Sequence, residues 1–229
     1  MIKAVSFDGD DTLWSFTGIS RDAIRLTLEF LEKITGSPSP LSVEEVIAIR
    51  DAIELDEGPI GLNITVEDIR RKSFHQVAGI AGLDPQKDGN TLTDYYFEVV
   101  REVGKLFPEA EPVLAELSKR FKVGEITNGN STPARFGSDA QLDFIVIAQD
   151  IGLFKPGPEI FEFAANLAGC NITEMMHVGD SLTNDVQGAN SVGAVSVWLN
   201  ANGVENESDI QPDHEIRSLS EIPAILDGY

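Results

Sequence analysis

One cysteine, Cys170, stands in 229 residues, so no intramolecular disulfide holds this chain together. With no base at a recognisable spacing, its thiol reads as a small core residue rather than a nucleophile. Positive charge is scarce too. Seventeen Lys and Arg face 38 Asp and Glu, a formal net charge of −21, and no Lys/Arg-rich run relieves it. Such a field repels nucleic acid and anionic membrane, so neither is an expected partner. The acidic excess reads as a solvated exterior, and any anionic ligand must meet positive charge concentrated at one place. No apolar run approaches the length of a membrane span, and the first residues lack the apolar stretch of a secretory leader. A reducing, cytoplasmic setting is the resulting expectation. Core material is plentiful: 42% of residues are hydrophobic, in a length that buries one large domain or a core with a smaller companion.

Chemistry first shows at Val5-Ser6-Phe7-Asp8-Gly9-Asp10-Asp11-Thr12-Leu13. The apolar run containing Ile2, Ala4, Val5 and Phe7 predicts a buried strand that stops at three carboxylates and a hydroxyl. In an open α/β sheet the ligand site lies just beyond the carboxyl ends of the strands. Apart from Lys3, the nearest Lys or Arg is Arg21, so the positive partner of Asp8 and Asp10 comes from elsewhere. Hard oxygen ligands suit Mg²⁺, which takes one or two carboxylates plus substrate phosphate oxygens. For an isolated D-x-D pattern, a solvated acidic turn is the competing reading.

Between Trp14 and Gly104 the pattern is helical. Ile24, Leu28 and Leu31 recur at helix spacing before Gly36-Ser37-Pro38-Ser39-Pro40 stops the element. Ser42 with Glu45 forms a capping box opening a second helix, with Val43, Val46, Ile47 and Ile49, that runs to Gly58-Pro59. Thr65 with Asp68 marks a third start, carrying Val66, Ile69, Phe74 and Val77. After Leu83-Asp84-Pro85, a fourth stripe holds Leu92, Tyr96, Val99 and Val103.

From Phe107 onward strand and helix alternate. Helices are predicted over Pro108 to Lys119, Pro158 to Leu167 and Val186 to Ser191, with strands over Lys122 to Ile126, Phe144 to Ala148, Met175 to Val178 and Ala194 to Leu199. An edge strand and a short closing helix follow between Asp213 and Leu226. This alternation implies an α/β fold, a parallel sheet with helices on both faces. A crossover needs one helix, so the surplus reads as an inserted four-helix module. Residues 1–15 and 104–229 are the expected core, and residues 16–103 the expected helical cap over the end of the first strand.

Four strand ends carry polar clusters. Besides Asp8 to Thr12, these are Thr127-Asn128-Gly129, then Lys155 ahead of a proline-started helix, then Asp180 and Asp185 after His177-Val178-Gly179. Each has a plain alternative: Thr-Asn-Gly is a routine turn, a lone lysine is usually solvated, and either aspartate serves as a helix N-cap. Together they supply two or three metal-binding carboxylates, a hydroxyl, an amide and one cation beside a helix start. That set is what phosphoryl transfer to a carboxylate requires. His177 lies within its strand and reads as a packed core histidine; His75 and His214 are no better placed. Trp14 and Phe16 either face substrate or pack the junction between modules.

Asp8-Gly9-Asp10-Asp11-Thr12-Leu13, Thr127-Asn128-Gly129, Lys155-Pro156 and Gly179-Asp180 with Asp185 resemble, in order and spacing, the four motifs of the haloacid dehalogenase superfamily. The resemblance implies a Rossmann-like core with a helical cap inserted after the first motif. It implies a Mg²⁺-dependent phosphatase that acts on a small phosphorylated metabolite through an aspartyl-phosphate, as a monomer or homodimer. Asp8 would be the nucleophile and Asp10 the general acid and then base. Thr127, Asn128 and Lys155 would hold the phosphate, and Asp8, Asp10 and Asp180 would bind Mg²⁺. Asp185 would support the metal through water or Lys155. The superfamily's common pattern has Gly where this chain has Asp11, a departure that bears on the turn.

The stretches Ile126 to Gly137 and His177 to Ala189 are similar to bacterial phosphatases acting on FMN and on the phosphoribitylamino-uracil precursor of riboflavin. Substrate choice would lie in the cap, which leaves sugar phosphates, nucleotides and phosphoglycolate open. A 2-haloacid dehalogenase of the same superfamily lacks an aspartate two positions past the nucleophile, where this chain has Asp10. A phosphomutase shares the motifs. A phosphorylatable receiver switch, which is not an enzyme, also combines an acidic pair, a hydroxyl and a lysine, but has no inserted helical unit.

Overall fold

A computed structural model describes residues 1–58, 64–138 and 142–229 of the chain. Pro59, the second half of one predicted breaker, lies outside the described residues. The chain divides into two compact units, Met1–Ser15 with Lys105–Tyr229, and Phe16–Gly104.

In the first unit, β1 (Ala4–Phe7) is fully buried, as a strand covered on both faces must be. After the helical unit come α5 (Ala110–Leu117), β2 (Lys122–Thr127), β3 (Phe144–Ile147), α6 (Ala148–Ile151), α7 (Pro158–Ala168), β4 (Met175–Gly179), α8 (Gly188–Val192), β5 (Val195–Leu199), β6 (His214–Ile216) and α9 (Ile222–Leu226), with α1 to α4 reserved for the helices of the second unit. The strands form one six-stranded parallel sheet in the order β3-β2-β1-β4-β5-β6, the Rossmann-like arrangement expected from the motifs. Because β1 is followed on one side by β2 and on the other by β4, the order reverses at β1. This is the switch point where open α/β sheets bind ligands.

Alternation along the strands sorts the faces. Ala4, Ile126, Phe144, Val146 and Met175 pack with Ile160, Phe161 and Ala164 of α7 and Ala189 of α8, and Cys170 lies half-buried against this cluster. Ser6 and His177 share that face, since Ser6 alternates with Ala4 and His177 with Met175. Gly169, at φ 71°, ends α7 in the left-handed conformation that a glycine adopts without penalty.

The predicted strand to Ala148 ends one residue early because Ala148 opens α6, a single turn that carried no helical period in the sequence. The helix predicted from Val186 begins instead at Leu182, as a π-helical stretch Leu182–Gln187 capped by the Ser181 hydroxyl, which accepts from Asn184 N at 3.1 Å. Wide turns of this kind cluster at functional sites. Here the turn lays the Asp185 carboxyl against Gly179, where a Cβ would collide with it.

The second unit holds α1 (Phe16–Thr35), α2 (Val43–Glu57), α3 (Val66–Ile80) and α4 (Lys87–Val103), the four helices read from the breakers. Both predicted capping boxes form: Ser42 and Glu45 exchange bonds of 3.2 and 2.7 Å, and Thr65 and Asp68 bonds of 3.1 and 3.3 Å. The fourth stripe buries Leu92, Tyr96 and Val99 but turns to Val100 instead of Val103. One charge is buried with them: the Arg70 guanidinium lies 4.4 Å over the Tyr96 ring and donates to Ser20 Oγ at 3.4 Å. No helix among the described residues is long and apolar enough to cross a membrane.

Candidate active site

The carboxyl ends of β1, β2 and β4 and the loop before α7 bring the four polar clusters together. Lys155 is buried and its ammonium is shared, at 2.6 Å from Asp8 Oδ1 and 2.6 Å from Asp185 Oδ1. Asn128 sets the main chain there: its Nδ2 donates to Lys155 O and its Oδ1 accepts from Lys155 N, both at 2.9 Å. Both ends of that side chain are therefore engaged, and what Asn128 has left to offer an anion is its second amide N–H and its main chain. The Thr127 hydroxyl, also buried, accepts from Gly129 N at 2.9 Å. A Cβ on Gly129 would lie 2.5 Å from Asp10 Oδ2 and 3.1 Å from Thr127 Oγ1, so the glycine lets β2's loop approach the Asp10 carboxyl closely.

Charge in this cluster is unevenly held. Burial works against ionisation of Asp185, but Lys155 and His177 outweigh it and hold the carboxyl well below the ordinary carboxylate range. Burial would lower Lys155, yet Asp185 and Asp8 raise it above an ordinary lysine. Asp8 is pushed well up by burial even with Lys155 beside it, because a single ammonium serves two carboxylates. Burial also raises Asp180, to about 6, helped by Asp185 and Asp11. One ligand oxygen from each of Asp8, Asp180 and Asp185 lies within 4.8 Å of the others. An all-carboxylate oxygen set with unbalanced negative charge fits a hard divalent cation. Asp185 Oδ1 already accepts from Lys155 and His177, and its Oδ2 from Ser181 N at 3.0 Å, so Asp8 and Asp180 are the less engaged carboxylates of the three. Trp198 Nε1 donates to Asp180 O at 2.8 Å and fixes the strand end from which that carboxylate projects.

Asp10 is treated differently. Burial raises its carboxyl to about 6, with a hydrogen bond from Trp14 opposing and Asp11 adding to the shift. Trp14 Nε1 donates to Asp10 Oδ1 at 2.7 Å, and the indole, fully buried, meets Phe136 edge-on at 5.1 Å between ring centroids. Asp11 sits at φ 58°, in the left-handed region. That is why glycine is common at this place in the superfamily, and aspartate is among the few residues that tolerate it.

Three residues of this neighbourhood escape the sequence reading. His177 is in contact with Asp185, not merely packed, at 3.1 Å from Nε2 to Oδ1. Trp14 orients Asp10, and the signal available is that the two sit one helical turn apart around the acidic loop. Glu125, in β2 register with Phe7, is fully buried, and neither carboxyl oxygen has a hydrogen-bond partner among the described residues. A Cβ on Gly9 would lie 2.7 Å from its Oε1.

Burial, with Asp8 and Asp10 adding, pushes Glu125 well above the ordinary range. A raised folded-state pKa means that stability is lost as pH rises from the unfolded value through the folded one. Glu125→Gln is therefore expected to leave urea stability at pH 4 nearly unchanged. At pH 8 it is expected to raise stability by at least about 1.4 kcal/mol, the worth of one pKa unit. An equal effect at both pH values contradicts a neutral buried Glu125.

The haloacid dehalogenase-like hydrolase family matches residues 2–193. The pyrimidine 5'-nucleotidase YjjG of Escherichia coli strain K12 is 27% identical, with 97% of this chain and 96% of the relative covered. The 5-amino-6-(5-phospho-D-ribitylamino)uracil phosphatase YigB of the same strain is 28% identical over 98% of this chain and 96% of its own. Among solved structures, a 2-haloacid dehalogenase from Pseudomonas syringae pv. Tomato DC3000 superposes with a TM-score of 0.80 at 32% identity, covering 100% of this chain and 99% of its own. With this match added to the four motifs gathered at one sheet edge, the chain belongs to the haloacid dehalogenase-like hydrolases.

Proposed function

We propose that the chain is a Mg²⁺-dependent phosphomonoesterase that acts on a small phosphorylated metabolite through an aspartyl-phosphate on Asp8. The observation that carries this reading is the pairing of two unlike carboxyls. Burial raises both, but Asp8 lies against the Lys155 ammonium at 2.6 Å, which favours its charged form, whereas Asp10 is held by the neutral Trp14 N–H and has a carboxyl raised to about 6, fit to give and take a proton near neutrality. Asp8 attacks phosphorus, the bond to the ester oxygen breaks, and Asp10 hands its proton to the departing alkoxide. Water then attacks the phosphorus of the acyl phosphate, Asp10 takes up its proton, and phosphate and free Asp8 result.

Lys155, the Thr127 hydroxyl and Asn128 hold the phosphoryl oxygens. Asp8, Asp180 and the main chain of Asp10 would hold the cation, Asp185 acting through Lys155. When bound, Mg²⁺ neutralises charge on the phosphoryl oxygens and on Asp8. Residues 16–103 serve as the cap that selects the ester. The nucleotidase name of YjjG and the phosphatase name of YigB support this class of substrate.

The test is phosphate release from nucleotides, FMN, sugar phosphates and phosphoglycolate, with Mg²⁺ and with EDTA. Mg²⁺-dependent release from at least one ester is expected, and none from any contradicts the reading. Asp10→Asn is expected to slow turnover by about 10²- to 10⁴-fold, the usual worth of a positioned acid–base.

A second reading, a 2-haloacid dehalogenase, is favoured by the 32% identity to the Pseudomonas syringae structure. In that chemistry Asp8 displaces halide from carbon and no alkoxide needs a proton, so a Trp14-oriented Asp10 has no task. Halide release from 2-haloacids in EDTA, unaffected by Asp10→Asn, would favour it.

A further inference from the structure

The sheet face covered by α7 and α8 is largely apolar, with Ser6, His177 and Ser196 forming one polar column across it, of which Ser196 turns to Asp213. Ser6 of β1 and His177 of β4 are register partners, and Ser6 Oγ lies 2.9 Å from His177 Nδ1. On the far side His177 Nε2 reaches Asp185 Oδ1 at 3.1 Å, and the Phe161 ring meets the imidazole edge-on with centroids 5.1 Å apart. All of these residues are buried. Apolar side chains at positions 6 and 177 would continue the packing of Ala4 and Met175 with no polar group to satisfy.

The proton positions in this column follow from Asp185. Its Oδ1 accepts from Lys155 at 2.6 Å and its Oδ2 from Ser181 N at 3.0 Å, so it behaves as a carboxylate, which only accepts. His177 must therefore carry its proton on Nε2. Nδ1 is then bare and accepts a hydrogen bond from the Ser6 hydroxyl, for which the alternative acceptor, Met176 O, is farther away at 3.4 Å. The column reads Ser6 to His177 to Asp185, and Lys155 donates to Asp185 and Asp8 alike.

We propose that Ser6 and His177 are positioning residues of the active site: their hydrogen bonds hold the Asp185 carboxylate in the orientation that directs the Lys155 ammonium onto Asp8. Without the His177 donor, Asp185 Oδ1 keeps only Lys155, the carboxylate turns about its bond from Ser181, and the ammonium follows it away from Asp8. The inference rests on the phosphatase reading for its effect on rate, and on geometry alone for its proton positions.

The test compares His177→Gln, which keeps an N–H at the place of Nε2, with His177→Leu, which keeps bulk and loses the donor. For His177→Leu, kcat on the best ester is expected to fall by about 10-fold or more, the usual cost of losing such an orienting bond. The Gln variant is expected to stay within about threefold of wild type, in line with a retained donor. A packing role has the opposite order, since Leu is the better buried side chain. Two readouts need no turnover, so they separate failure of this proposal from failure of the phosphatase reading. In the wild-type protein, ¹⁵N shifts of His177 are expected to show the Nε2–H tautomer, and the Lys155 ammonium resonance is expected to move in the Leu variant but not in the Gln variant. A Nδ1–H tautomer, an unmoved Lys155 resonance in the Leu variant, or Leu turning over as fast as Gln overturns the proposal.

Discussion

Asp8→Asn is expected to lower turnover of the best ester by at least about a thousandfold, the scale on which removal of a nucleophile registers. The amide cannot form the acyl phosphate, and Thr127, Lys155 and the cation site alone leave only residual catalysis. The fold should persist, because Lys155 keeps its partner Asp185 at 2.6 Å when the Asp8 charge is removed. Initial rates with Mg²⁺ and a urea titration of the same preparation check both halves. A variant that retains more than a tenth of the wild-type rate would remove Asp8 from the chemistry.

Lys155→Met should cost stability as well as activity. Lys155, Asp8 and Asp185 have side chains 1%, 11% and 1% exposed, so deleting the ammonium leaves two buried carboxylates without their cation. Breaking a buried pair in this way costs about 3–5 kcal/mol.

The pH dependence should reverse as well. In the wild type Asp185 is held below its ordinary range, so its contribution is present above the unfolded pKa and is lost as pH falls through the folded value. In Lys155→Met both carboxyls have raised folded-state pKa values, and stability is lost as pH rises. The variant is thus expected to be least stable relative to wild type at pH 8, and to regain ground at pH 5. Adding Asp185→Asn should recover part of the loss. Urea midpoints at the two pH values decide this; a deficit that is the same at both, or one smaller than about 1 kcal/mol, contradicts the shared-ammonium picture.

Much of the site is legible in the chain because polar groups interrupt apolar strands at their ends. Asp8, Thr127 and Asp180 each follow a run of buried residues, and a parallel sheet gathers such ends at one edge. The helical unit is legible from its punctuation, since Ser42 and Thr65 cap helices wherever they are read in isolation.

What stays hidden depends on side chains meeting across the sheet. His177 shows only that it alternates with Met175 and Gly179. That Asp185 turns back onto it depends on the π-helical stretch at Leu182–Gln187, which has no compositional signature. Asn128 reads as a phosphate ligand in the motif, yet its side chain clasps the Lys155 main chain, a role set by how closely two loops approach. Glu125 reads as one more strand residue until the register with Phe7 places it beneath Gly9 with no partner among the described residues.

The most direct measurement is chemical trapping of the intermediate. An acid quench during turnover, followed by borohydride, reduces an acyl phosphate to an alcohol, so Asp8 should be recovered as homoserine in the peptide masses. None should be recovered from Asp8→Asn. Turnover of an ester with no reduced residue at position 8, or with the reduced residue elsewhere, would contradict an aspartyl-phosphate on Asp8.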